Sequence, residues 1–328
     1  MDKYIPPYEI TDEMLDLVAQ IMEKLGQLNG VNGLEKLPKL RRVSRIKSIH
    51  SSLAIENNTL SIEQVTDVMD GKKVLGPQED ILAVKNANEA YRLLKEVDPY
   101  EIKDLLKIHG VMMKGLVAEA GQLRTGQVSV YNGSGEVIHI VPSSDIAPTL
   151  LDGLFDWVKT AKVNMLIKSS IFHYKFEFIH PFRDGNGRTG RLWQTALLAS
   201  WKDIFAWIPI ESIIKDNQEE YYKAILRSTS QGKSNDFIIF MLDVINKAIN
   251  NMVSDTANHF NHINNYIASL LEVVDSYPQS AKELMAKLNL KSKDSFRKNY
   301  LYPAIDAGLV GMTEPDKPTS KNQRYFKI

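Results

Sequence analysis

Apolar residues recur at intervals of three and four along most of the chain, so helices dominate its pattern. Leu15, Val18, Ile21, Met22 and Leu25 form one stripe after Thr11, with Asp12 and Glu13 in the first turn, and Gly26 and Asn29-Gly30 loosen or end it. Pro38 opens a second helix. Its stripe is Leu40, Val43, Ile46, Ile49 and Leu53, and its other face is basic at Arg41, Arg42, Arg45 and Lys47. We expect that basic face to be solvated. Asn57-Asn58 ends this helix, and Ser61-Ile62-Glu63-Gln64 reads as a capping box for the next. Gly76-Pro77 opens a longer helix through Leu94. Asp98-Pro99 separates it from one over 102–117, whose His109 is expected to be structural rather than catalytic.

The period changes after Gly121. Val128, Val130, Val137, Ile138 and Ile140 alternate or cluster as strands around Tyr131-Asn132-Gly133-Ser134-Gly135, a hairpin signal that Pro142 closes. Helical runs over 145–159 and 165–178 follow, and another starts at Glu219-Glu220-Tyr221-Tyr222 and stops at Gly232. Residues 237–274 make a helix long enough to connect two parts of the chain; its His259 and His262 read as surface residues, too few for a metal site. From Ser276 the composition shifts. Ser280 caps a helix over 281–290, Ser292 or Asp294 opens another that Gly308 stops, and 322–328 closes as a strand. Helix, turn, helix, hairpin is the order of a winged helix-turn-helix. Its ten Lys and Arg stand against five Asp and Glu, a net +5, which leaves DNA binding, protein contact and dimerisation equally open. Four regions result: a helical 1–100, a core over 101–232, connecting helices over 233–275, and a small module over 276–328.

Composition narrows the class. The 40 basic and 40 acidic residues balance, so no global field points to nucleic acid or a membrane. The absence of cysteine excludes disulfides and Cys-based zinc sites. We read no secretory h-region at the N-terminus and no apolar run long enough to span a bilayer, and expect a cytoplasmic protein without membrane partners.

The densest chemistry lies in His180-Pro181-Phe182-Arg183-Asp184-Gly185-Asn186-Gly187-Arg188-Thr189-Gly190-Arg191, a polar loop between two apolar helical runs. His180 precedes a proline, which ends the helix there. Phe182 is most simply an anchor into the core. Gly185-Asn186-Gly187 can turn successive N–H groups into one concavity at a helix N-terminus, a natural place for an anion. Arg188 and Arg191 share a face there and can clamp that anion. Asp184 is a hard oxygen ligand of the kind Mg²⁺ takes alongside phosphates. The bland alternative is a helix–helix turn with solvated charges, and the full combination weighs against it.

This stretch resembles the Fic-family signature HPFx(D/E)GNGRxxR at every specified position. Enzymes of that family move AMP from ATP to a protein hydroxyl. The resemblance implies His180 as general base and Asp184 as the Mg²⁺ ligand. It implies Gly185, Asn186 and Gly187 as the anion hole, Arg188 as a phosphate contact and Arg191 as the γ-phosphate contact. Gly187 also separates the chain from the family's phosphotransferase branch, which carries Lys there. Upstream, Ser52-Leu53-Ala54-Ile55-Glu56-Asn57 is similar to the family's inhibitory motif (S/T)xxxE(G/N). There the Glu pairs with the second Arg of the signature and excludes the γ-phosphate, which implies that Glu56 opposes Arg191.

The hairpin region bounded by Gln127 and Val141 resembles the family's flap, which registers an extended target segment through main-chain bonds. Gly121-Gln122-Leu123-Arg124, leading into it, is also similar to the family pattern. Tyr222 is implied at an adenine pocket, although the position of the family's frequent adenine-contacting Asn is Thr229 here. Together these imply a mainly α fold: a Fic helical core with a β-hairpin flap, plus a small C-terminal winged helix-turn-helix. They imply an Mg-ATP-dependent adenylyltransferase acting on Ser, Thr or Tyr of a target protein and restrained by Glu56. Two other readings stay open, a DNA-binding regulator whose Fic fold senses nucleotide, and removal of AMP with Glu56 orienting a water. Self-modification and homo-oligomerisation stay open as well.

Overall fold

A computed structural model describes residues 4–30, 38–131, 137–318 and 320–328, less the side chains of 29–30, 38–39, 129–131, 137–140 and 257–264. Hairpin-turn residues 132–136, and the side chains of His259 and His262, therefore lie outside the described residues. The fold is mainly helical. In order come α1 (Asp12–Gly30), α2 (Pro38–Ile55), α3 (Ile62–Met69), α4 (Gln78–Leu93), α5 (Ile102–Met112), β1 (Ser129–Tyr131), β2 (Val137–Ile140), α6 (Ala147–Thr160), α7 (Met165–Ile179), α8 (Asn186–Trp201), α9 (Ile210–Asp216), α10 (Gln218–Gln231) and α11 (Asn235–Val273). The chain closes with β3 (Gln279–Ser280), α12 (Ala281–Lys287), α13 (Lys293–Ser295), α14 (Tyr302–Asp306), β4 (Val310–Met312) and β5 (Arg324–Lys327). It divides into two units, Met1–Met252 and Val253–Ile328.

In the first unit, α7 and α8 are the buried centre. Every residue over 166–176 and over 189–199 is buried, so neither helix has a polar face to display. The two pack on each other, with α6 against α7 and α5 against α8. Phe155 meets Phe172 edge-on at 5.4 Å and approaches Trp193 at 6.3 Å. β1 and β2 pair antiparallel, with Ser129 opposite Ile140 and an irregularity between Val130 and Tyr131.

Several sequence expectations change in this core. In α1 the buried residues are Met14, Ile21, Leu25 and Leu28, while Leu15 and Met22 are exposed. Gly26 does not end the helix, which stops at Gly30, the later of the two expected breaks. In α2, Ile46, Ile49 and Leu53 of the expected stripe are buried, but Val43 is exposed and an adjoining polar face, at Ser44, Ser48, Ser51 and Ser52, is buried as well. The cause is polar packing against α9: Ser48 donates to the buried Glu211 at 2.8 Å, and Ser51 meets Ser212 at 3.3 Å. The basic face is not simply solvated. Arg41 and Arg45 lie over the Trp207 ring, at 4.9 and 5.1 Å from its centre, and Arg42 pairs with Asp70. The helix expected over 102–117 stops at Met112. The segment Asn235–Thr256 of α11 is long and apolar enough to cross a membrane, contrary to our expectation of no such run. Its Phe237, Ile238, Met241, Leu242, Ile245 and Ile249 are wholly buried, so that apolar surface belongs to the protein core.

The second unit is built around Leu270, Leu284, Phe296, Leu301, Ala304, Val310 and Tyr325. Its sheet is antiparallel in the order β3-β5-β4. Ser280 caps α12 in a full capping box with Glu283, and α12 ends at Lys287 rather than Leu290. Residues 293–306 are continuously helical, with a π-helical stretch at Phe296–Leu301, and Gly308 ends them at φ +70°.

Candidate functional site

The site begins where α7 stops. His180 is the C-cap of α7 and takes left-handed dihedrals, φ 50° and ψ 61°, while its N–H still donates to the Phe176 carbonyl at 2.9 Å. Pro181 thus ends the helix by driving the preceding residue out of the right-handed region, into a conformation few non-glycine residues adopt. That conformation has a keeper. Arg124, 4 % exposed, donates from Nε to the His180 carbonyl at 2.7 Å and from its terminal nitrogens to Pro142 at 2.6 Å and Gly126 at 3.0 Å. Its own N–H donates to the Pro181 carbonyl at 2.9 Å. Burial lowers the guanidinium's pKa from its ordinary value, and the carbonyl dipoles stand in for a counter-ion. Arg124 therefore ties the His180 turn to residues flanking both strands of the hairpin.

The next turn is fixed as tightly. Phe182 is buried and stacks on His109 with ring centres 3.6 Å apart. His109 Nδ1 accepts the Gly121 N–H at 2.9 Å, which puts the proton on Nε2, where it donates to the Asp184 carbonyl at 2.9 Å. Burial lowers the His109 pKa and keeps this neutral form. The Asn186 side chain closes the loop by accepting from Phe182 N–H at 2.9 Å and donating to Phe182 C=O at 2.8 Å. Gly185, at φ +80°, lies where a Cβ would meet Met113 Sδ at 2.5 Å, so only glycine fits. The Asp184 carboxylate remains 55 % exposed and accepts from Arg188 at 3.2 Å.

A second element meets this loop from α2. The helix ends with Asn58 N–H donating back to Leu53 C=O at 3.1 Å and Asn57 left-handed at φ 63°. That is a Schellman-type stop, and it gives a physical reason for Asn at this position. Gln218 braces the same end by donating to the Ile55 carbonyl at 3.1 Å. Glu56 is thereby aimed at α8. Arg191, buried, donates to the Glu56 carboxylate at 2.7 Å, to the Ser52 carbonyl at 2.9 Å and to Ser52 Oγ at 3.2 Å. Burial works against the Arg191 charge, but the neighbouring Glu56 outweighs it and the pKa rises. The carboxylate also rests on Gly187, where any Cβ would collide with Glu56 Oε1. Glu56, Asp184 and Arg188 share the lining of a cavity of about 160 Å³.

The structure thus brings together His180, Asp184, Gly185, Asn186, Gly187, Arg188 and Arg191 on one loop and helix start, with Ser52 and Glu56 on Arg191 and Asn57 ending α2 just after them. Tyr222 is half-buried near Glu56, its pKa raised by burial first and by that carboxylate second. Tyr221 instead packs in the core and meets His173 Nε2 at 3.1 Å. Thr229 bonds to the Tyr174 hydroxyl at 3.2 Å. His109 is structural, as expected, and Arg124 and Gln218 are supporting residues whose roles spacing alone did not assign, because each acts on backbone far away in sequence.

A helical core carrying this loop is the architecture of the Fic/DOC family, whose family model matches residues 99–198. Residues 265–326 match the model described as "Filamentation induced by cAMP protein Fic-like, C-terminal domain". The crystal structure of a Fic family protein from Desulfovibrio desulfuricans G20 is similar at 42 % identity and a TM-score of 0.74, covering 99 % of this chain and 98 % of that one. The chain belongs to the Fic family. It is also similar to proteins named protein adenylyltransferase Fic. That of Drosophila erecta is 30 % identical over 214 residues, 61 % of this chain and 40 % of the relative. That of Nematostella vectensis is 27 % identical over 260 residues, covering 76 % and 57 % respectively. The chain therefore spans only about half the length of these two curated relatives.

Proposed function

We propose that the protein is an Mg-ATP-dependent protein adenylyltransferase restrained by its own Glu56. One observation carries the reading: the Glu56 carboxylate sits on Gly187 and Arg191 at the N-terminus of α8, where a phosphate would sit. The similarity to proteins named adenylyltransferases supports it.

In the proposed step, a Ser, Thr or Tyr hydroxyl oxygen of a target protein attacks the α-phosphorus of ATP. The new O–P bond forms as the bond from the α-phosphorus to the bridging oxygen breaks, pyrophosphate leaves with that electron pair, and His180 takes the hydroxyl proton. Amides of the Gly185-Asn186-Gly187 turn hold the phosphate charge with Arg188, whose buried Nε has no hydrogen-bond partner among the described residues. Arg191 receives the γ-phosphate once Glu56 withdraws, and Tyr222 stands on the adenine side.

Among the described residues no group of three acidic, His or Cys side chains could hold a metal alone. A single exposed carboxylate, Asp184, fits Mg²⁺, which draws its other ligands from phosphates and water. Bound there, the ion would neutralise part of the phosphate charge. The hairpin between Gln127 and Val141 would register the target segment as an added strand.

The test is intact mass after incubating wild type and Glu56→Gly with Mg²⁺ and ATP, alone and with a soluble cell extract. An AMP adduct with the variant and little or none with wild type is expected. ATP bound by both proteins without any adduct would overturn the reading.

A further inference from the structure

The second unit has its own cleft, about 570 Å³, between α12, the start of the 293–306 helix and the loop leading into β5. Lys282, Lys293, Arg297 and Lys321 line it, and no Asp or Glu does. Met285, Leu290 and Tyr325 give it an apolar floor. Two of the unit's acids are engaged with cations outside the cleft. Asp275 holds Lys287 at 2.9 Å, and Glu283 reaches Arg324 at 3.6 Å. None of the four cleft cations has an ion-pair partner among the described residues. Four like charges from three separate elements repel one another across the cleft, a cost to folding that an external anion would relieve.

The backbone says what kind of anion. The end of α11 is followed by β3, α12, the 293–306 helix, β4 and β5, with the sheet ordered β3-β5-β4. α12 and the 293–306 helix form a helix-turn-helix, and the β4–β5 connection lies beside them as a wing. Lys293 and Arg297 are four residues apart at the N-terminal end of the second helix, so they share a face where such helices enter a major groove. Lys321 comes from the wing and Lys282 from α12. Cations from α12 and from the wing thus border the same cleft as those of the reading helix, a spread that can meet successive phosphates of a duplex.

We propose that this unit is a winged helix-turn-helix that binds duplex DNA, with Lys282, Lys293, Arg297 and Lys321 on its phosphates. The proposal does not depend on adenylyl transfer in the first unit. Phosphate contacts of this kind position the protein and give salt-sensitive affinity; base selectivity would come from what the 293–306 helix presents between them.

Fluorescence anisotropy of the full chain with a labelled, random-sequence duplex tests it. Four phosphate contacts predict an affinity that falls with salt at a log–log slope of about −3 to −4. Lys293→Glu with Arg297→Glu should weaken binding at least about tenfold, since two phosphate attractions become repulsions. Lys293→Gln with Arg297→Gln, gentler on the fold, should flatten the salt slope by about two. Lys327→Glu, in the same unit but off the cleft, should leave binding unchanged. Absence of duplex binding at low salt would overturn the proposal, as would equal affinity in the charge-reversed protein. A polyglutamate peptide of matched charge competing as well as DNA would assign the cleft to an acidic protein instead.

Discussion

The Arg191 guanidinium, 1 % exposed, already has its anion: it donates to Glu56 at 2.7 Å and to the Ser52 carbonyl at 2.9 Å. A triphosphate reaching for the same guanidinium must displace a charge-assisted bond formed within the chain. Glu56 is 31 % exposed, and the cavity it lines also touches Asp184 and Arg188, so it can leave toward solvent without unpacking the core.

Replacing Glu56 with Gly should therefore tighten ATP binding and raise transfer, each by about tenfold or more, since a competing ion pair of about 1–3 kcal/mol is lost. The same change should lower stability without nucleotide, because Arg191 is left buried without its carboxylate. Isothermal titration and thermal melts with and without ATP separate the two effects. A variant as stable as wild type and no better at binding ATP would show that the pair restrains nothing.

His180→Ala should lower transfer by roughly 10²–10⁴-fold while ATP affinity changes little. The left-handed backbone at this position complicates Ala, so His180→Asn is the cleaner variant, because Asn tolerates those dihedrals. Both should be equally inactive in single-turnover assays. Residual activity in the Asn protein alone would point to a geometric role for this residue rather than proton transfer.

The loop was legible in the sequence because its parts are neighbours in the chain: a proline that stops a helix, glycines at a turn, and two arginines one helical turn apart. Glu56 was legible through its short motif, and the left-handed Asn57 now explains one of that motif's fixed positions. What the sequence could not display were contacts made across it. Arg124 stands in the sequence only as part of a run similar to the family pattern, and its role emerges once its guanidinium is seen on the carbonyls of His180 and Pro142. The buried serine face of α2 was missed for the same reason. Serines there are buried because α9 offers Glu211 and Ser212 as partners, which no periodicity of apolar residues reveals.

Arg124 is the positioning residue that this geometry exposes. Arg124→Lys keeps the charge but offers one compact ammonium where a planar fork met several carbonyls. We expect kcat to fall by about 10–100-fold with the KM for ATP nearly constant, because a small misplacement of a catalytic group costs on that order. A purely structural role would lower the melting temperature without separating kcat from KM. Crystallographic or NMR evidence that His180 keeps its left-handed dihedrals in the variant would count against the assignment.

Glu177 gives the pH dependence. Its carboxyl is buried beneath the site; burial first, and Glu56 as well, push its pKa from 4.5 up to about 8, against the opposing pull of Arg191. Its Oε1 has no hydrogen-bond partner among the described residues. The unfolded chain gives up this proton near pH 4.5 while the folded protein keeps it until about 8, so stability falls as pH rises through that window. His173, 3.8 Å away and held near a pKa of about 3 by burial, works in the opposite sense, losing stability as pH falls from 6.5 toward 3. Glu177→Gln removes only the first slope. Its stability relative to wild type should therefore grow from pH 5 to pH 8, by about 1.4 kcal/mol per pH unit at most. In a Glu56→Gly background the gain should shrink, because Arg191 would then draw the Glu177 pKa down. Urea denaturation of the four proteins across that range decides it: parallel stability curves for wild type and Glu177→Gln would mean that the carboxyl is already ionised in the fold.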